Sequence, residues 1–80
     1  MIQHSNIDAF ELHQKIRNGS VVLGGNSRLK IYGTLSCKLG MRMHRRNRVF
    51  FKNLQEAVSL GYRPCGHCMS VDFKDWKNKQ

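Results

Sequence analysis

Cys65 and Cys68 stand three apart in the run GYRPCGHC, directly after a segment that reads as the end of a helix. No other feature restricts the fold as much, because a Cys-x-x-Cys turn has few physical uses. In redox enzymes the first cysteine sits at a helix N-terminus inside a βαβ frame of ~100 residues, and this chain of 80 residues shows no such frame. In tetrahedral zinc sites the two-residue spacer folds into a knuckle that sets both sulfurs ~2.3 Å from the metal. The third use is none at all, two buried thiols. A lone pair does not decide between the last two. Cys37 adds weight to the metal, because a strand end and a returning helix can bring it beside the pair. Three thiolates with one further nitrogen or sulfur complete a zinc site.

The length makes a staple useful. One domain of this size, residues 1–80, buries only ~60% of the surface its unfolded chain exposes. Small domains of this kind often lean on a metal, disulfides or a partner. With 40% hydrophobic residues and one proline the chain is globular in composition. Its three cysteines are an odd number, and Cys65 and Cys68 are too close for an ordinary stapling bridge, so thiols in a reducing compartment are expected. No apolar run approaches the ~18 residues of a membrane span, and MIQHSNIDAF lacks the regions of a signal peptide, so a soluble cytoplasmic protein is expected.

The net charge of +9 is unevenly spread. Between Glu11 and Glu56 there is no acidic residue, while basic residues run from Lys15 to Lys52. A stretch of one sign raises the local concentration of polyanions, nucleic acid first among them. The bland alternative is a solubilising surface. The densest charge lies in SCKLGMRMHRR, which has no clean period and reads as a basic loop with one helical turn. Lys38, Arg42, Arg45, Arg46 and Arg48 are the expected phosphate contacts, since the arginine fork gives two hydrogen bonds to one phosphate. Arg48 and Arg63 have a competing use, buttressing the fold through backbone carbonyls.

Periodicity divides the rest. Asp8 to Asn18 reads as a helix capped by Ser5 or Asn6 and stopped at Gly19, with Ile7, Phe10 and Ile16 on its apolar face. SVVLGGN reads as a strand ending in a Gly24-Gly25-Asn26 turn, and RLKIYG as its hairpin partner. NRVFFK is an aromatic, β-branched strand. NLQEAVSLGY is a helix with a capping-box pattern at Asn53 and Glu56, an apolar face of Leu54, Ala57, Val58 and Leu60, and a stop at Gly61. A last helix is expected over Met69 to Trp76, with Met69, Phe73 and Trp76 packing inward. Tyr32, Phe50 and Phe51 are expected in the core rather than stacked on bases. The fold class is α+β, a small three-stranded antiparallel sheet with flanking helices.

The stretch from Gly25 to Cys68 resembles the Ada metal-binding domain family. The matching residues are GNSRLKIYG, Cys37, NRVFFKNLQEAVSLGYRPC from Asn47, and Cys68. The family forms the N-terminal zinc module of the Ada methylphosphotriester repair protein and also occurs as small stand-alone domains. There an early Cys-x-x-x-Cys pair and a late Cys-x-x-Cys pair hold one zinc, and stand-alone relatives often carry histidine first. The resemblance implies Cys37, Cys65 and Cys68 as zinc ligands, and the family's first position falls on Gly33. In the repair protein that first cysteine accepts a methyl group from a DNA phosphotriester, so glycine here implies no acceptor and no enzyme. The fourth ligand place is left to His44, His67, a water or a cysteine of another chain, with both histidines expected to be solvent-exposed.

The resulting expectation is a zinc-binding module that binds DNA non-specifically through a basic loop, without methyl-acceptor activity. Two other functions are consistent with the sequence. One is a zinc-stabilised or metal-free protein-interaction domain, and the other an alkyl acceptor in DNA repair that uses Cys37. No acid–base pair, nucleophile–histidine–acid set or phosphate loop is visible in the sequence.

Overall fold

A computed structural model describes residues 1–37 and 43–79. The fold is α+β, and the sheet differs from the three-stranded antiparallel one expected: it has five strands and is mixed. The strands are β1 (Ile2–Gln3), β2 (Leu23–Asn26), β3 (Ile31–Thr34), β4 (Arg48–Phe51) and β5 (Arg63–Pro64), in the order β1-β4-β2-β3-β5. The three longer strands form the antiparallel centre. The two-residue β1 and β5 are too short to carry a period of two, which is why the sequence does not announce them. β5 runs parallel to β3, pairing Ile31 with Arg63 and Tyr32 with Pro64.

Three helices are present among the described residues: α1 (Ala9–Arg17), α2 (Leu54–Ser59) and α3 (Ser70–Asn78). Asp8, rather than Ser5 or Asn6, caps α1, its carboxylate accepting the Glu11 N–H at 2.7 Å. The buried residue of α1 is Leu12, whereas Phe10 is 73% exposed. Asn53 caps α2 by accepting the Glu56 N–H at 2.8 Å. Glu56 reaches back to the Lys52 N–H rather than to Asn53, so the capping box closes one residue early. Of the apolar face expected on α2, Ala57 alone is fully buried, and Leu54, Val58 and Leu60 are about half exposed. Gly61, at φ +85, ends the helix in the left-handed region as expected.

Alternation along β4 distributes the core. Val49 and Phe51 join Tyr32, Tyr62 and Ala57 of α2 in one cluster, and Phe50 joins Ile7, Val21 and Leu12 of α1 in another. Tyr32, Phe50 and Phe51 are therefore core residues, as expected.

The Gly24-Gly25 pair is not a turn. Both glycines lie inside β2, opposite Gly33 and Tyr32 of β3. The turn falls later, where the Asn26 side chain accepts the N–H groups of Arg28 and Leu29 and Lys30 takes φ 58. Close packing explains the glycine at position 25. A Cβ there would lie 2.7 Å from the Ile31 carbonyl oxygen and 2.9 Å from the Phe51 ring.

Candidate metal centre

Three segments bring the sulfurs together. Cys37 follows β3, with its N–H donating to the Thr34 carbonyl at 3.2 Å in a tight turn. Cys65 follows β5, and its N–H donates to the Tyr32 carbonyl at 2.8 Å, fixing the knuckle to the end of β3. The Met69 N–H then donates to the Cys65 carbonyl at 3.1 Å, which starts the turn carrying Cys68 into α3. The three ligand atoms of Cys37, Cys65 and Cys68 all lie within 4.8 Å of one another. The sulfurs of Cys37 and Cys65 are 4.0 Å apart. Two thiolates bound to one tetrahedral zinc are separated by roughly 3.8 Å, given a bond of ~2.3 Å. The donor set and its spacing fit zinc.

The surroundings suit a thiolate cluster. Cys37 and Cys65 are buried, each 8% exposed, and Cys68 is half-buried. The His67 N–H points at the Cys65 sulfur, 3.4 Å away, as expected of a knuckle. Burial pushes the Cys68 thiol up and its two sulfur neighbours add to this, while hydrogen bonds with Thr34 pull it back. A metal entering the cluster must therefore displace thiol protons. Arg48, half-buried at the start of β4, lies close enough to Cys37 for the two charges to interact; burial lowers its pKa and the Cys37 thiol opposes that shift.

Gly33 stands at the cluster's edge. A Cβ on it would lie 2.8 Å from the Cys68 sulfur and 3.3 Å from the Cys65 Cβ. Gly33 thus faces the three cysteines, with no side chain to offer. His44 and His67 are both exposed and do not join the metal-binding group among the described residues.

The five basic residues expected to contact phosphate do not act alike. Lys38 and Arg42 lie outside the described residues. Arg45 and Arg46 sit on a 3-10 turn, Arg45–Asn47, and both are exposed. Arg45 donates to the carbonyls of His4 and Ile7 at 3.4 and 3.2 Å, tying the N-terminal segment down. Arg48 lies over the Phe50 ring at 5.3 Å. Arg63 stacks on Phe73 and Trp76 and donates to the Pro64 carbonyl. The buttressing anticipated for Arg48 and Arg63 takes this form, chiefly against aromatic faces.

Two participants escape sequence reading. Thr34 supports Cys68 through a contact no motif encodes. Gly24 is opposed to Gly33 across the hairpin, a pairing legible only once the glycines are placed in strands.

The family model for the metal binding domain of Ada matches residues 8–70. No curated protein and no solved structure gives a significant match. No described helix is long and apolar enough to cross a membrane.

Proposed function

The chain belongs to the Ada metal-binding domain family, and from that premise we propose a zinc module, held by Cys37, Cys65 and Cys68, that binds DNA without sequence preference and accepts no methyl group. The observation that carries the reading is the convergence of three sulfurs from separate segments. Zinc bound there supplies a cross-link between the turn after β3 and the knuckle after β5. The rest is done by the chain. Tyr32 and Thr34 position the cysteines through backbone hydrogen bonds, and Arg48 offsets part of the thiolates' negative charge.

DNA binding is supported by the +9 charge and by the acid-free stretch from residue 12 to residue 55. Of the three described arginines expected at phosphate, Arg46 is the exposed one with its side chain uncommitted in the contacts above, because Arg45 is engaged by two carbonyls and Arg48 by Phe50. Phosphate contacts of this kind set register and carry no sequence code. The reading without methyl acceptance rests on Gly33, which has no side chain to alkylate, and is supported by the burial of Cys37.

Native mass spectrometry of protein purified without chelator is expected to show one zinc per chain. Incubation with methylphosphotriester DNA is expected to leave the mass of the protein unchanged. Metal-free protein would refute the zinc reading, and a gain of one methyl group on Cys37 would restore the acceptor reading.

A further inference from the structure

Gly24 and Gly33 are cross-strand partners, so the two side chains that would cover one face of the hairpin are both missing. A cavity of about 130 Å³ opens beside the pair, although the Cβ positions themselves are packed, that of Gly33 against the Cys68 sulfur and that of Gly24 against Leu35. Leu29, Ile31 and Met43 give it apolar walls, Cys37 and Cys65 line it, and Arg48 contributes a cation. A water needs only about 10–15 Å³ of such space, so a molecule of several non-hydrogen atoms fits.

The cavity adjoins Gly33 and two of the three clustered cysteines, Cys37 and Cys65. Three thiolates around a divalent metal carry a net charge of −1, and a fourth protein ligand at Gly33 is ruled out by its lack of a side chain. We propose that the metal centre keeps one coordination position open on the side of this cavity, and that it takes a small aliphatic thiolate from solution. The thiolate sulfur completes the soft donor set, its hydrocarbon body lies against Leu29 and Ile31, and Arg48 balances the added charge. A thiol bound there would give up its proton to buffer, with no electron transferred. This inference rests on the zinc reading above and extends it from a closed staple to a centre with an exchangeable ligand.

The test uses the full chain loaded with cobalt(II) in place of zinc and titrated with ethanethiol under anaerobic conditions. Sulfur-to-cobalt charge-transfer absorption before titration reports the three protein thiolates. The expected result is a saturable rise in that absorption and, by native mass spectrometry, a species of chain plus metal plus one ethanethiolate. Compared at full cobalt loading, Arg48→Met is expected to weaken half-saturation roughly tenfold, the scale of one charge-assisted contact. Leu29→Asp changes a residue that is 60% exposed, so folding is retained, and is expected to weaken binding by charge repulsion. Intact cobalt–thiolate bands that ethanethiol does not alter overturn the open position while leaving the metal reading in place. A response to acetate but not to ethanethiol overturns the choice of a thiolate. Absence of charge-transfer bands at the outset removes the metal centre and the open position with it.

Discussion

Alanine at Gly25 and at its neighbour Gly24 should have opposite consequences, and the contrast tests the placement of both glycines inside β2. At Gly25 a Cβ meets the Ile31 carbonyl oxygen at 2.7 Å and the Phe51 ring at 2.9 Å, closer than real Cβ atoms come. The oxygen belongs to the paired strand and cannot retreat without stretching the β2–β3 ladder. Phe51 is fully buried and has nowhere to turn. Overpacking costs typically 1–3 kcal/mol, and two rigid neighbours put Gly25→Ala toward the upper end, about 2–3 kcal/mol. For a domain of this size each kcal/mol moves Tm by roughly 4–8 °C, so a fall of roughly 10–20 °C is expected. At Gly24 the nearest atoms are at 3.8 Å, ordinary contact, and φ is not positive. There the lost freedom of the unfolded chain dominates, and Gly24→Ala should be neutral or stabilising by up to ~1 kcal/mol. Urea unfolding followed by circular dichroism, with metal held constant, measures both. Equal effects at the two positions, or a Gly25→Ala change below ~0.5 kcal/mol, would mean that the glycines lie in a turn and that the register carrying Gly33 to the sulfurs is wrong.

Other consequences are open to measurement. Chelator should lower the Tm of the wild-type protein but not that of Cys37→Ser, Cys65→Ser or Cys68→Ser, because ligand-linked stability vanishes with the site. Burial of Glu56 opposes its ionisation, but bonds from the N-terminal ammonium at 3.0 Å and the Lys52 N–H prevail, and its pKa is lowered. Stability from this carboxylate is therefore present above the usual glutamate range and lost as pH falls through the lowered value; Glu56→Gln should flatten the acid limb of a Tm–pH curve. In gel shifts across salt concentrations, phosphate contacts by Lys38, Arg42 and Arg46 give a log–log slope of about −2.7, against about −4.5 if Arg45 and Arg48 also take part. Arg46→Ala should reduce the slope by ~0.9, whereas Arg45→Ala should chiefly destabilise the N-terminal segment.

The parts legible in the sequence share a property: their cause is local. The strand at Arg48–Phe51, the Asn53 cap and the Gly61 stop depend on residues a few positions away. The helix faces were harder. Phe10 and Val58 fit a 3.6-residue period yet face water, because one side of a short helix on a thin core has room to bury only a residue such as Leu12 or Ala57. β1 and β5 were invisible because their pairing partners, β4 and β3, lie about 30 or more residues away and their own two residues carry no pattern. The expected turn at Gly24-Gly25 proves to be strand for a related reason. Glycine permits a turn by its φ freedom and a close approach by its missing Cβ, and only the opposing strand tells which is used.

For the site, chemistry and spacing offered the three sulfurs as candidate metal ligands, since thiolate affinity and a two-residue knuckle are properties of the residues themselves, and the family resemblance selected them over a pair of buried thiols. The amount of positive charge and the lack of a ligand at Gly33 are likewise written in the chain. Tertiary structure decided what faces what: that Gly33 opens toward Cys68, that Arg45 and Arg48 are drawn onto carbonyls and an aromatic ring, and that a cavity lies beside the sulfurs. Those outcomes depend on contacts between segments far apart in sequence, set by strand register and competition for a small core, and no local pattern encodes either.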